Sequence, residues 1–212
     1  MSEAQAAVAA LRRDELVVLP TDTVYGLACR ADSDSAATEL YRLKGRDAIQ
    51  PTAVIFGSLE ELLARVPELP GAAVAAARAL LPGAYTLVLP NPAERYPWLN
   101  AGRTTALGVR VPVLPLITAE VAAAVGPLVA TSANLPGGID PRRLADVPER
   151  IRAGVSAAVD GGELPGAPST VIDITGDPVV LRAGAADPTE ALERIAANER
   201  LIRQRRPGLL RP

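Results

Sequence analysis

The sequence contains no histidine. Mechanisms that pair a serine or cysteine nucleophile with histidine are therefore excluded. Histidine-containing metal sites and acid–base catalysis by an imidazole are excluded as well. Any chemistry has to use carboxylates, cations, hydroxyl groups, backbone groups or a bound metal ion. Catalysis by holding substrates in alignment becomes the natural candidate.

Cysteine is nearly as scarce, because Cys29 is the only one among the 212 residues. A disulfide within the chain and a metal site built from several cysteines are both impossible. Since Cys29 lies in an apolar stretch, we expect a buried small residue and not a reactive thiol. The net charge of −2 and the 3% aromatic content argue against strong nucleic-acid binding. Any anionic ligand must therefore be held by arginine and lysine placed locally.

Long apolar runs are also missing, since segments such as AAVAAARALL are too short to cross a bilayer. The first residues, MSEAQAAVAALRRDE, have no basic region ahead of an apolar one, so we expect no signal peptide. The apolar content of 49% is high enough to build a core. We expect a soluble, cytoplasmic protein that does not contact a membrane.

Short β-rich runs alternate with helical patterns along the chain. The expected strands are 16–20, 52–57, 85–89, 107–111, 128–131, 157–160, 170–174 and 179–182. The expected helices are 33–44, 59–66, 72–81, 116–125, 148–153 and a final one from the Asp187 cap towards Gln204. Because several strands follow one another directly, the pattern predicts an α/β fold with a mixed sheet.

Polar residues cluster where the predicted strands end, which indicates a ligand site. Thr21 to Thr23 follow the first strand, Ser132 and Asn134 follow another, and Ser169 precedes a third. Arg110 and Arg182 lie in apolar strands, where an arginine is costly unless it meets an anion. The threonines could equally form a hydrogen-bonded turn, Ser132 and Asn134 could cap a loop, and Lys44 and Arg46 could be ordinary helix-end cations.

The common nucleotide-binding motifs, G-x-x-x-x-G-K-[ST] and G-x-G-x-x-G, are absent. Without further information, the residues predict an α/β protein with an anion-binding pocket. Seven segments in a fixed order add to this: PTDTVYGL (20–27), KGR followed by Pro51 (44–46), PGAYT (82–86), VRVP (109–112), TSAN (131–134), STVID (169–173) and LRAG (181–184).

Taken together, these segments resemble the YrdC-type family of L-threonylcarbamoyladenylate synthases, in its single-domain form. The resemblance implies a twisted mixed sheet flanked by helices, with a concave cleft lined by cations. It assigns residues 1–195 to a catalytic domain and residues 196–212 to a helix end and a basic tail.

The implied reaction is a nucleotidyl transfer that joins L-threonine, bicarbonate or CO2, and ATP into threonylcarbamoyl-AMP, releasing pyrophosphate. Such transfers depend on alignment and on neutralised phosphate charge, with Mg2+ expected alongside ATP. The resemblance assigns no catalytic side chain. Downstream transferase proteins would then pass the threonylcarbamoyl group to an adenosine in tRNA.

Residue roles follow from the same resemblance. The implied threonine-binding residues are Thr23, Arg110, Ala130 and Ser169. The implied ATP-binding residues are Lys44, Arg46, Gln50, Ser132, Asn134, Asp140 and Arg182. We expect Arg110 to hold the threonine carboxylate and Ser132 to form an anion-binding nest with nearby backbone N–H groups.

Several positions depart from the family pattern, and the usual proline is replaced in the segments KGRD, PGAYT and LRAG. Ile55 stands where many members carry histidine, and Ala106 stands where some carry threonine or serine. Because Ile55 cannot hydrogen-bond a substrate hydroxyl, that contact would fall to Thr23, Ser169 or a water molecule.

Two alternatives remain open from the sequence. An RNA-binding module of the same fold, without catalysis, would use the basic cleft to hold RNA weakly. The YrdC-like segment of hydrogenase-maturation carbamoyltransferases is less compatible, since those long chains carry zinc-finger parts that a single cysteine cannot supply.

Overall fold

The computed structural model of the chain describes residues 1–45, 52–100 and 102–205, without the side chains at positions 202, 203 and 205. The helices are α1 (Glu3–Arg12), α2 (Asp34–Lys44), α3 (Leu59–Arg65), α4 (Gly71–Leu80), α5 (Leu116–Val125), α6 (Glu149–Arg152) and α7 (Pro188–Arg205). In the ranges that the structure covers, no helix combines the length and the apolar character needed to span a bilayer.

The strands are β1 (Val17–Pro20), β2 (Tyr25–Arg30), β3 (Val54–Ile55), β4 (Tyr85–Pro90), β5 (Ala106–Arg110), β6 (Leu128–Ser132), β7 (Ala157–Ala158), β8 (Thr170–Asp173) and β9 (Val179–Arg182). They form one sheet in the order β7-β1-β2-β6-β3-β5-β4-β8-β9. The pairs β1–β7, β3–β5 and β4–β8 are parallel, and the others are antiparallel. The predicted mixed α/β sheet flanked by helices is thus confirmed.

The two faces of the sheet are covered unequally. On one face, alternate residues such as Leu27, Leu87 and Val109 join the main core with residues of α2, α3, α4, α6 and α7. On the other face, α1 and α5 pack a smaller cluster over β7, β1 and β2, which also includes Leu128 of β6 and Ile55 of β3. Beyond that cluster, the face of β4, β5 and β8 lacks a covering helix in the described part of the chain.

Two elements were missed by the sequence pattern. Helix α1 was not expected, although Ser2 caps it by accepting a hydrogen bond from the Gln5 N–H, and Gln5 returns one to the Ser2 N–H. Strand β2 was not expected either, because it lacks polar alternation: five of its positions are buried. A strand buried on both faces shows no period of two.

Cys29 lies in β2, is fully buried, and carries a free thiol, as the sequence predicted. Burial raises the pKa of this thiol to about 12. Helix α7 runs through residue 195 without interruption. The division of the chain at residues 195 and 196 stays a prediction.

Candidate active site

A cavity of about 480 Å³ lies on the uncovered part of the sheet. Its floor comes from β4, β5, β6 and β8, and its walls come from the 131–140 segment, the end of α2 and Arg182. The predicted site residues that the structure describes all border it: Thr23, Lys44, Arg110, Ala130, Ser132, Asn134, Asp140, Ser169 and Arg182. The fold therefore brings together residues from six separate sequence segments.

Arg110 is a largely enclosed cation of this cavity. Its Nη2 atom donates a 2.6 Å hydrogen bond to Oδ1 of Asp22, and both side chains are about nine-tenths buried. Burial lowers the pKa of the Arg110 guanidinium, against the attraction of Asp22. Burial likewise raises the pKa of Asp22, and the nearby Arg110 charge opposes that shift. For both groups the loss of water and the ion pair act in opposite directions, so each buried charge depends on its partner.

The Nε atom of Arg110 is buried and has no hydrogen-bond partner in the described part of the chain. The charge of Arg182 acts on the same guanidinium and contributes to its lowered pKa. Two like charges that approach one cavity favour an anion between them. A carboxylate is suited to this place, since it can accept two hydrogen bonds from one guanidinium.

The hydroxyl of Thr23 lies 3.2 Å from the hydroxyl of Thr21. Thr21 Oγ1 donates to the Val24 carbonyl at 2.7 Å and accepts the backbone N–H groups of Thr23 and Val24 at 3.2 Å each, which uses its proton and both lone pairs. The Thr23 hydroxyl also accepts a 3.4 Å hydrogen bond from Arg110. Its proton is therefore not fixed by Thr21, and this hydroxyl can accept or donate towards the cavity.

Ser169 also borders the cavity. Its hydroxyl lies 2.8 Å from the hydroxyl of Thr86, and its carbonyl accepts a hydrogen bond of the same length from Arg182. Ala130 lies on the cavity side of β6, where its small side chain leaves the floor open.

Lys44 is buried at the end of α2, where Gly45 adopts the left-handed conformation (φ 68°) that terminates the helix. Its Nζ atom donates to the Ser132 carbonyl at 2.6 Å, and to the Asn134 carbonyl and Oδ1 at 3.0 and 2.7 Å. These bonds use the three protons of the ammonium group. Lys44 therefore supplies positive potential to the cavity while it fixes the 131–134 turn.

Asn134 connects this turn to the cavity wall. Its Nδ2 atom donates to the Gly138 carbonyl at 2.7 Å and to Asp140 at 3.1 Å. The Ser132 hydroxyl donates to Asn134 Oδ1 at 2.7 Å, and the Ala133 N–H donates to Tyr25. The expected nest would need these donors, so an anion could bind there only after they exchange partners.

The remaining sequence predictions divide in two. Arg46 and Gln50 lie outside the described residues. Ile55 packs beneath α1 and α5 with Leu128, and Ala106 is buried at the start of β5. Neither Ile55 nor Ala106 borders the cavity, although Ile55 is the strand partner of Arg110.

The sequence assigned no role to Thr52 and Thr86, which border the cavity, or to Asp22, which contacts the cavity residue Arg110. Asp22 was seen only as part of a motif, and its value as the Arg110 partner depends on a contact across 88 positions. Thr86 is the last residue of the PGAYT segment, and this position was the one sequence feature that pointed to a role for it. Thr52 borders the cavity with a buried hydroxyl that has no partner in the described ranges.

The cavity offers few ligands for a divalent metal. Asp140 is the only carboxylate among its described lining residues, and no group of three acidic or cysteine side chains converges anywhere in the described chain. Mg2+ commonly binds through one or two carboxylates, water and substrate phosphates. The residues present fit a Mg2+ that arrives with a nucleotide.

Comparison with known proteins gives a family. The model named Sua5_yciO_yrdC, described as "Telomere recombination", matches residues 9–184. The threonylcarbamoyl-AMP synthase of Pyrococcus abyssi is 34% identical over 193 residues, covering 90% of this chain and 56% of that protein. The Bacillus subtilis synthase is 36% identical over 185 residues, covering 84% of this chain and 52% of that protein. The chain spans about half the length of these relatives.

A solved structure agrees with the sequence comparison. The P. abyssi Sua5 protein in complex with L-threonine superposes with a TM-score of 0.82 at 32% identity. The superposition covers 92% of this chain and 58% of the other.

The Asp22–Arg110 pair yields a stability prediction. Asp22→Asn should lower the free energy of unfolding at pH 7 by about 1–3 kcal/mol, because the buried Arg110 charge loses its partner. We place the value below that of a fully enclosed pair because the cavity admits water. Urea unfolding followed by circular dichroism measures the loss.

Glu163→Gln is the matched control. Glu163 pairs with Arg142 and Arg143 at 2.8 and 2.5 Å, but at the exposed surface, where ion pairs contribute little. Equal losses for the two variants would contradict a special role for the buried pair.

Proposed function

The chain belongs to the Sua5, YciO and YrdC family, and we propose that it joins L-threonine, bicarbonate or CO2, and ATP into threonylcarbamoyl-AMP and pyrophosphate. The observation that carries the proposal is one cavity in which the predicted threonine and ATP residues meet. The names of the relatives support it, as does the L-threonine complex of the P. abyssi protein.

Arg110 would hold the threonine carboxylate. Its unpartnered Nε faces no protein acceptor, so a carboxylate can bind it alongside or in place of Asp22. The hydroxyl oxygen of Thr23 would accept a hydrogen bond from the ammonium or amine of the substrate. Ala130 and Ser169 would contact the rest of the amino acid.

The nucleotide would occupy the other part of the cavity. Ile55 pairs with Arg110 on one side and with Leu128 on the other, so Ser132 lies four strand positions from the level of Arg110. At about 3.3 Å per residue, this separates the two ends by about 13 Å along the strands. We assign the Lys44, Ser132, Asn134 and Asp140 end to ATP. Arg182, Arg46 and Gln50 would complete it.

The chemistry requires alignment more than side-chain acid–base catalysis. The threonine amine loses a proton to solvent and bonds to CO2, giving a carbamate. A carbamate oxygen then bonds to the α-phosphorus of ATP while the bond from that phosphorus to the bridging oxygen breaks, and pyrophosphate leaves. Lys44 and Arg182 offset the phosphate charge throughout.

When bound, Mg2+ would supply further charge neutralisation on the phosphates. Asp140 is the cavity carboxylate that would face it. Transferase proteins acting on tRNA would consume the product, because a mixed anhydride of a carbamate and a phosphate is an activated acyl donor.

The first test measures pyrophosphate. Release should require threonine, bicarbonate and ATP together, because the carbamate is the nucleophile and needs both of its precursors. An enzyme-coupled assay with each substrate omitted in turn measures this. Equal release of pyrophosphate without threonine, or release of ADP and orthophosphate, would contradict the proposal.

The two cavity arginines should affect different substrates. Arg110→Ala should raise KM for threonine, and Arg182→Ala should raise KM for ATP, each losing about 2–5 kcal/mol of binding. Since Arg182 also holds the Ser169 carbonyl, a smaller effect on threonine should accompany the ATP effect. Steady-state kinetics with each substrate varied measures both.

Arg152→Ala provides the control for these variants, because Arg152 pairs with Glu149 on α6 and does not border the cavity. Its kinetics should match the wild type. If Arg110→Ala left threonine use unchanged, the assignment of the threonine carboxylate to Arg110 would be wrong.

A further inference from the structure

The hydroxyls of Thr86 and Ser169 form a pair inside the cavity. Their oxygens are 2.8 Å apart, and either one can be the donor. Both residues border the cavity, and Ser169 is 4% exposed. The sequence resemblance implies a role for Ser169 but none for Thr86.

Counting protons shows what the pair offers to a ligand. Two hydroxyls carry two protons, and their mutual hydrogen bond uses one. One proton and several lone pairs are left, with no other partner for either hydroxyl in the described chain. The pair can therefore donate one hydrogen bond and accept another at the same place.

The pair lies beside Arg110. Strands β4 and β5 pair antiparallel, with Leu87 opposite Val109. Continuing this register by one pair places Thr86 opposite Arg110, and both side chains lie on the cavity face. Directly opposed residues have Cβ atoms about 4.5–5.5 Å apart. On its other side, Thr86 pairs with Val171 of β8, two residues after Ser169.

We propose that the Thr86–Ser169 hydroxyl pair binds the side-chain hydroxyl of the amino acid substrate, and that Thr86 determines specificity for that hydroxyl. The inference rests on the proposed function, since it takes Arg110 as the carboxylate site. In threonine, three bonds separate the hydroxyl oxygen from the carboxylate carbon. Of the two strand positions beside Arg110, Ile55 does not border the cavity and Thr86 does. A threonine whose carboxylate binds Arg110 can therefore place its hydroxyl near Thr86.

A hydroxyl is the group that matches this pair, because it donates and accepts through one atom. Valine has nearly the shape of threonine but would leave both the donor and the acceptor unpaired. Sites that hydrogen-bond a substrate hydroxyl reject analogues lacking it by about 10⁴–10⁵, whereas sites that recognise only a methyl group discriminate by about 10–200-fold. The pair therefore favours threonine over valine more than over serine.

The test compares Thr86→Val with Thr86→Ser. Valine has the shape of threonine and keeps the β-branched strand residue, whereas serine keeps the hydroxyl. Thr86→Val should lower the threonine-over-valine ratio of kcat/KM by about tenfold or more, at unchanged KM for ATP. Thr86→Ser should retain most of the ratio. Isothermal titration with threonine and valine provides a second readout that does not depend on turnover.

Thr118→Val is the matched control. Its buried hydroxyl donates to the Pro20 carbonyl at 2.7 Å, and Thr118 does not border the cavity. Losing it should lower the melting temperature and leave the threonine-over-valine ratio unchanged.

Two results would overturn the inference while leaving the proposed function intact. One is a wild-type protein that uses threonine but discriminates against valine no better than against serine. The other is a Thr86→Val variant, folded by circular dichroism, in which use of threonine and valine falls equally. A wild-type protein that neither binds threonine nor releases pyrophosphate with it would overturn the proposed function itself, and this inference with it.

Discussion

A positive charge inside a protein is costly unless oxygen atoms surround it, and this constraint shapes the cavity. Lys44 meets it with the carbonyls of Ser132 and Asn134, which ties the end of α2 to the end of β6. Arg110 meets it only in part, through Asp22, and keeps a buried Nε without a partner. Lys44 therefore holds two parts of the protein together, whereas Arg110 keeps a hydrogen-bond donor without a partner among the described residues.

The arrangement of the sheet and its helices forms the cavity in which these cations lie. Because α1 and α5 cover one end of a face, the rest of that face stays open, and its strand residues become the cavity floor. Antiparallel pairing of β4 and β5 then places residues that are distant in sequence next to each other, such as Leu87 and Val109. In a chain without histidine, such placement is the main means of catalysis that remains.

The sequence predicted the fold class and most elements, because turn residues and capping signals mark their ends. It missed β2, whose continuous burial removes the period on which strand prediction depends. Residues that would bind ligands were found through ordered motifs, and the described ones share a cavity, although their roles remain proposals. The sequence assigned no role to Asp22, Thr86 or Thr52. Asp22 and Thr86 each contact a residue that is distant in sequence, and Thr52 has a buried hydroxyl without a partner among the described residues. Such contacts are set by the folded chain and cannot be seen in the sequence.

The central claim is that threonine reacts through a carbamate while Arg110 holds its carboxylate. Mass spectrometry of a reaction with ¹³C-bicarbonate, threonine and ATP tests this directly, because direct adenylation of the threonine carboxylate would also release pyrophosphate. The account predicts a threonine–AMP conjugate that contains one ¹³C atom from bicarbonate. An unlabelled threonyl-AMP, formed equally well without bicarbonate, would contradict it.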